Sequence, residues 1–185
     1  MNQIIDNFSE IFKREDLFSH ATETEISQLK KLFGEKVNKV IEFYCKYQPN
    51  NFPMSKSYVQ LIDIDKIIIE NTIGEPGKFM AEYGVYVFAL TVGGNVLCID
   101  TNDVHDGDAN VLIADSNFCS YNETHNCVEI GVAPEEVVQH LGEGEILVLN
   151  YANMTKCLKK IENSFLTFML KLSKNEYDDI EAYLE

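Results

Sequence analysis

The chain has 185 residues and 45% of them are apolar, enough for one domain with a sizeable core and too many for a disordered tail. A net charge of −15 argues against binding nucleic acid or an anionic membrane, since both require a cationic surface. The sequence shows no secretory signal and no apolar run approaching a spanning helix, and its five cysteines include no CxxC pair. We therefore expect a monomer in the cytoplasm with reduced thiols and no disulfide.

The first third of the chain has the apolar spacing of helices. This spacing predicts a short helix over residues 3–13. Thr22 and Glu25 form a capping-box pattern, with Thr22 as the N-cap, and predict the start of a second helix that Gly34 interrupts. Another apolar stripe follows and ends before Pro49. These two linked amphipathic segments must cover another part of the molecule.

Strand-like patterns begin near residue 58 and continue through the middle of the chain. They predict strands over residues 59–62, 85–90, 96–100, 111–114, 127–130 and 146–149. Residues 85–90 are apolar on both faces, as in a central strand that is covered on both sides. The Gly93-Gly94-Asn95 segment predicts the turn that pairs this strand with the next one. Residues 63–71 are predicted as a short helix or turn, and residues 101–110 as a polar loop.

Helical spacing returns in the last third of the chain. Pro134 predicts the start of a short helix that stops by Gly142, residues 158–172 predict a longer helix, and residues 177–184 a final short one. The order predicts an α+β fold, with a single mostly antiparallel sheet of about five or six strands flanked by N-terminal and C-terminal helices. We assign residues 1–185 to one domain.

Charge is distributed unevenly along the chain. The 77 residues between Lys78 and Lys156 contain twelve acidic residues and no lysine or arginine, whereas the flanks have 15 bases and 18 acids. A soluble acidic surface is one interpretation of this basic-free stretch. The other is a negative face that meets a cationic partner, because complementary charge speeds encounter and fixes orientation.

Three segments have a recognisable order and spacing. Thr22 to Tyr47 is a pair of amphipathic helices, Tyr86 to Asp100 joins an aromatic-rich strand through a glycine turn to a strand ending in an acid, and Asn163 to Met169 contains the pattern SFxxF. Together they resemble the SUKH superfamily, which includes bacterial immunity proteins and the fungal Smi/Knr cell-wall regulators. The resemblance covers most of residues 20–172.

The resemblance implies a protein that is not an enzyme and that is made beside a secreted toxin. Such a protein binds its cognate toxin domain inside the cell. The expected mechanism is stoichiometric occlusion, in which an acidic surface covers a basic toxin face. A nuclease would fit, because its cleft must be cationic to hold phosphates. The fungal relatives imply an alternative, a ligand-binding or regulatory domain without a toxin partner.

Acidic and aromatic residues of the basic-free stretch are the candidate contacts with that partner. They are Asp100, Asp103, Asp106, Asp108, Phe118, Tyr121, Glu123, Glu135 and Glu136. Aromatic residues make good interface anchors, and core packing is the equal alternative for Phe118 and Tyr121. Acids in a first helical turn also offset the helix dipole, which is the structural alternative for Glu135 and Glu136. We expect Asp103→Asn, Asp106→Asn and Asp108→Asn together to change stability by less than about 1 kcal/mol, because exposed loop acids make little stabilising contact.

The sequence predicts no metal, cofactor or catalytic group. If Gly107 were position 6 of a calcium loop, positions 3 and 12 would be Val104 and Ile113, which are not ligands. No zinc-finger spacing joins the set His105, Cys119, His125 and Cys127. A Cys119–His125 nucleophile pair lacks any local activation signature, so an ordinary loop cysteine is the simpler interpretation. No phosphate-binding glycine motif is present.

Overall fold

The computed structural model describes residues 1–184. Its α-helices are α1 (Asn2–Phe12), α2 (Glu23–Phe33), α3 (Asn38–Tyr47), α4 (Ile64–Thr72), α5 (Gly77–Ala81), α6 (Glu135–Val138), α7 (Tyr151–Cys157) and α8 (Phe165–Ser173), and a 3-10 helix spans Glu181–Leu184. Its strands are β1 (Phe18–Ser19), β2 (Gln48–Pro49), β3 (Val59–Leu61), β4 (Val85–Thr91), β5 (Val96–His105), β6 (Asp108–Ala114), β7 (Cys119–Asn122), β8 (Cys127–Ile130) and β9 (Lys159–Glu162).

The main sheet has five antiparallel strands in the order β3-β4-β5-β6-β9. Helices flank this sheet, so the predicted α+β fold is confirmed. Two small sheets, β1-β2 and β7-β8, complete the strand pairing. Buried apolar residues from Ile4 to Ile180 form one cluster. No helix within residues 1–184 combines the length and apolar character needed to cross a membrane.

Strand β4 is an interior strand of the main sheet, between β3 and β5. Its residues are buried or half-buried along the whole strand, which confirms the prediction of a covered central strand. The Phe165 ring of α8 packs edge-on against Phe88, with 5.3 Å between ring centroids. Helix α5 approaches the neighbouring Val87 so closely that a Cβ at Gly77 would lie 3.0 Å from its side chain and 2.3 Å from the Glu70 carbonyl oxygen.

A buried asparagine closes the edge of β4 where strand pairing stops. Strand β3 pairs only with the end of β4 that begins at Ala89, so Val87 lies beyond it. The Asn71 side chain donates to the Val87 carbonyl oxygen at 2.8 Å and accepts from the Val87 amide at 2.8 Å. Asn71 of α4 therefore satisfies the backbone groups that a longer β3 would have bound.

The prediction of a polar loop over residues 101–110 is wrong. Strand β5 continues to His105 and β6 begins at Asp108, so the two strands form one long hairpin. Asp106 and Gly107 make its turn, with φ angles of 51° and 75°. Two adjacent positive φ angles are the requirement of a tight hairpin turn, and an Asp-Gly pair meets it. The prediction failed because the polar side chains of residues 101–110 gave no indication of strand pairing.

The predicted helix over residues 158–172 is wrong in its first part. Residues 159–162 form β9, which pairs with β6, and α8 begins only after Ser164. The Ser164 hydroxyl accepts from the Thr167 amide at 3.0 Å and caps the helix. Apolar residues at helical spacing led to the helix prediction, but pairing with the edge of β6 makes residues 159–162 a strand. The buried side chain of Ile161 is compatible with either element.

Candidate partner-binding surface

The nine predicted contact residues do not form one surface. Asp100, Asp108 and Phe118 are 4%, 6% and 2% exposed, so the prediction that they contact a partner is wrong for these three. The other six are exposed or half-buried: Asp103, Asp106, Tyr121, Glu123, Glu135 and Glu136. Asp100 and Asp108 bind groups that are distant in sequence, and Phe118 belongs to the hydrophobic core.

Asp108 is a structural residue at the start of α8. Its carboxylate accepts from the Ser164 hydroxyl at 2.6 Å and from the Phe165 amide at 2.9 Å. The amide of Ala109 donates to the same carboxylate at 2.9 Å. A buried carboxylate is tolerated in this position because its oxygens are bound by donors and lie at the positive end of a helix.

Asp100 connects β5 to α7. Its carboxylate accepts from the Tyr151 hydroxyl at 2.9 Å and from the Asn102 amide at 2.9 Å. Burial, followed by the hydrogen bond to Asp100, raises the pKa of Tyr151 to about 12. The tyrosine hydroxyl therefore remains a proton donor to Asp100 throughout the neutral range.

Phe118 lies in the wall of a cavity of about 300 Å³ at the end of β6. Three predicted residues meet there, because Glu135 and Glu136 also line this cavity. Val132 and Pro134 lie in the same wall, on the segment that leads into α6. Phe118 thus supports the segment that carries the two exposed glutamates, although its own ring is buried.

Bases from other parts of the chain adjoin the tip of the β5–β6 hairpin. Asp103 lies 3.7 Å from the Lys160 ammonium of β9 and 3.1 Å from the His105 ring. Asp106 lines a cavity together with Lys30 and Lys39 of the helical layer. Acids are therefore not the only charged residues at this hairpin, since folding brings lysines to it from sequence positions outside the basic-free stretch.

Another part of the basic-free stretch holds most of its acids, although Lys159 lines the Phe118 cavity with Glu135 and Glu136, and Lys156 lines a second cavity with Glu136. Residues 115–149, here called the acidic surface, contain seven acidic residues and no lysine or arginine. The acids are Asp115, Glu123, Glu129, Glu135, Glu136, Glu143 and Glu145. Its framework is the β7–β8 hairpin, α6 and a short extended segment around Val148, which makes a single β-bridge with Glu129. The predicted strand over residues 146–149 is present only as this bridge.

Exposed apolar side chains lie within the acidic surface. Tyr121 is 50% exposed, Val132 is 43% exposed and Val148 is 42% exposed. Tyr121 donates its hydroxyl hydrogen to the Asn126 side chain, so the ring lies along the hairpin toward its turn. Large exposed apolar groups beside polar ones are a feature of interaction surfaces. Sequence reasoning missed Val132 and Val148, because an apolar residue near a strand is usually a core residue.

The Cys119 thiol is not arranged for nucleophilic chemistry. Cys119 is 2% exposed, and burial together with the charge of Glu75 raises its pKa to about 12. His125 is exposed in the hairpin turn, whereas Cys119 lies at the opposite end of β7. Within residues 1–184, no three His, Cys, Asp or Glu side chains are grouped in a way that could hold a metal ion.

Hydrogen bonds within the β7–β8 hairpin hold the acidic surface in shape. Asn122 donates to the Glu129 carboxylate at 2.7 Å and accepts from the His125 amide at 3.1 Å, which closes the turn.

Comparison of the chain with protein-family models, with curated proteins and with solved structures found no match.

Proposed function

We propose that this chain is a cytoplasmic immunity protein that binds a cognate secreted toxin and neutralises it by stoichiometric occlusion. The observation that carries the proposal is the acidic surface, with seven acids, no lysine or arginine, and three exposed apolar side chains. The resemblance of the sequence to the SUKH superfamily supports the same function. The expected contacts are Tyr121, Glu123, Glu135 and Glu136 from the sequence analysis, joined by Val132 and Val148.

The two kinds of side chain have different roles in the proposed complex. Surface carboxylates attract a basic domain over a distance of about 8 Å at physiological salt, and they raise the association rate more than the final affinity. Exposed apolar groups such as Tyr121 and Val148 supply the desolvated contact that slows dissociation. A nuclease toxin is the class that this arrangement fits best, because the cleft that binds its phosphates is cationic.

The direct test uses a toxin domain whose gene lies beside the gene for this chain. A neighbouring gene for a large secreted protein supplies the candidate, whose C-terminal domain is expressed with and without this chain. The proposal predicts that the domain alone stops growth, that co-expression restores growth, and that the two proteins purify as a 1:1 complex. Growth arrest despite co-expression contradicts the proposal. A small molecule retained in the cavity beside Phe118, with no protein partner, would instead support the ligand-binding or regulatory alternative.

A charge-matched pair of variants tests the acidic surface itself. Variant one carries Glu123→Gln, Glu135→Gln and Glu136→Gln, all at exposed positions. The control removes the same number of charges from exposed acids of α1 and the segment after it, with Asp6→Asn, Glu10→Gln and Glu15→Gln. We expect the first variant to lower the toxin association rate by roughly tenfold at low salt, with a smaller gap at 0.15 M salt. Equal association rates for both variants would place the interface elsewhere.

A further inference from the structure

The hydrogen bonds of the β7–β8 sheet show which edge of β7 is paired with another strand. Gly131 donates its amide hydrogen to the Phe118 carbonyl oxygen at 2.9 Å, across the gap between the two strands. On the other side of β8, Ile130 donates to Leu147 at 2.8 Å, and Leu149 donates to Val128 at 2.8 Å. The backbone groups of Val128 and Ile130 thus point away from β7. Because backbone groups alternate in direction along a strand, the N–H and C=O groups of Glu129 and Cys127 point toward β7.

The same alternation leaves Tyr121 with an unpaired edge. Ser120 and Asn122 lie opposite Glu129 and Cys127, so their backbone groups point to β8. The N–H and C=O of Tyr121 point the opposite way, and among residues 1–184 no backbone or side-chain hydrogen bond reaches them. Strand β8 is the one strand that pairs with β7 in this part of the chain.

The outer edges of the main sheet are protected, in contrast to the edge of β7. At β3, the Val59 carbonyl oxygen accepts from the Ser55 amide at 2.8 Å, and the Val59 amide donates to the Ser55 hydroxyl at 3.0 Å. At β9, Lys159 and Lys160 are both exposed, and charged edge residues oppose the addition of another strand. An open edge with an exposed tyrosine and no charged residue within the strand is the feature that favours strand addition.

The charges around β7 define the partner. Glu123 follows the strand and Glu129 lies beside it, and neither forms a salt bridge with a described residue. Lys78, which precedes the basic-free stretch, is paired with Glu75 at 2.6 Å. We propose that the free edge of β7 binds an extended cationic segment of a protein partner by β-strand addition. This inference rests on the proposed function and names how the toxin domain would be held.

The faces of the hairpin predict the side-chain pattern of the added strand. Ser120, Glu129 and Val148 are directly opposed across the small sheet, so their side chains share one face. Tyr121 and Val128 are opposed on the other face. A strand added beside β7 would place one set of alternate side chains toward Glu129 and the other beside the Tyr121 ring. The fitting segment therefore alternates basic and apolar residues.

The test uses a defined probe and two substitutions at one position. The probe is a synthetic peptide of about eight residues in which lysine alternates with valine, a typical strand length. Tyr121→Pro removes the outward N–H without touching the bonds to β8, and proline is accepted on an edge strand whose N–H faces outward. Tyr121→Thr removes the aromatic ring but keeps the N–H. A thermal unfolding curve first establishes that both variants are folded.

We expect the peptide to slow hydrogen exchange of the Tyr121 amide, as followed by NMR. Binding should be at least tenfold weaker for Tyr121→Pro, weakened by a smaller factor for Tyr121→Thr, which loses the ring but keeps the N–H, and lost with a peptide carrying glutamate for lysine. Equal peptide binding by the proline variant, or no protection at millimolar peptide, overturns the proposal. Protection that grows with protein concentration alone would show pairing between two copies and also overturn it.

The strand-addition proposal and the proposed function can be contradicted independently of each other. If the chain neutralises a toxin but holds it in another way, Tyr121→Pro protects cells as well as the wild type does, while the triple glutamine variant associates slowly. If the chain is not an immunity protein, co-expression gives no protection with any variant, whatever the peptide result. Measuring cell protection and peptide binding on the same set of variants therefore distinguishes the two failures.

Discussion

Asp108 and Ser164 are hydrogen-bonded to each other at 2.6 Å, although 56 positions separate them in the sequence. Asp108 begins β6 and Ser164 is the N-cap of α8, so this contact anchors the C-terminal helix to the main sheet. The carboxylate also accepts from the Phe165 amide, where the positive end of the helix lies. An aspartate that appears in the sequence as one of several loop acids is thus a buried cap.

Asp108→Asn should destabilise the protein by about 1–3 kcal/mol, because a neutral amide gives up the charge-assisted bonds to Ser164 and Phe165. Asp106→Asn is the matched control, since Asp106 is exposed two residues earlier in the hairpin turn, and it should change stability by less than about 0.5 kcal/mol. Urea unfolding followed by circular dichroism measures both. Equal midpoints for the two variants would contradict the assigned role of Asp108. The expectation that all loop acids are dispensable for stability therefore does not extend to Asp108.

Asn71→Leu should cost about 2–4 kcal/mol in free energy of unfolding. The substitution leaves the amide and the carbonyl oxygen of Val87 buried without partners, and each such group is costly. Thr72→Ala is the control, because Thr72 is exposed and its hydroxyl bonds only to its own helix at Ile68. Urea unfolding gives the comparison. A loss of the same small size in both variants would show that the edge of β4 does not depend on Asn71.

The two buried thiols should make the protein less stable at alkaline pH. Burial raises the pKa of Cys98 and raises the pKa of Cys119 to about 12, above the ordinary value near 8.5 that applies after unfolding. Only the unfolded chain then releases these protons between pH 8 and pH 10, so stability is full below about pH 8 and falls as pH rises. Each thiol should contribute a loss of about 2 kcal/mol over that range.

Urea unfolding at several pH values measures this decline in the wild type and in a variant with Cys98→Ala and Cys119→Ala. The variant should have a lower stability at pH 7 and a shallower decline toward pH 10. Parallel curves would contradict the role of the thiols. In the folded protein the two buried cysteines should also react with iodoacetamide more slowly than Cys127, which is partly exposed, as followed by mass spectrometry.

Glu181→Ala should release the C-terminal 3-10 helix from the β4–β5 turn. The Glu181 carboxylate accepts from the Gly93 amide at 2.9 Å and from the Asn95 side chain at 2.9 Å, and it is also bound by Thr91. We expect the Gly93 amide to exchange with solvent at least tenfold faster, with a stability loss of about 1–2 kcal/mol. Glu176→Ala is the control. Unchanged exchange at Gly93 would show that the contact does not order the turn.

Features that depend on a few neighbouring residues could be predicted from the sequence. Thr22 and Glu25 form the predicted capping box, with the Glu25 amide 3.3 Å from the Thr22 hydroxyl and the Thr22 amide 2.6 Å from the Glu25 carboxylate. Strand β4, covered on both faces, was also predicted correctly. Periodicity and capping are local, so they are legible without knowledge of the rest of the chain.

The sequence by itself determined the α+β class, the capping box at the start of α2 and the concentration of acids between Lys78 and Lys156. Only the tertiary structure decided which of those acids face solvent. Asp108 became a helix cap because Ser164 folds against it, and Asp103 acquired Lys160 as a neighbour because β9 pairs with β6. Strand pairing brings together residues that are far apart in the sequence. Charge density along the chain therefore differs from charge density on the surface.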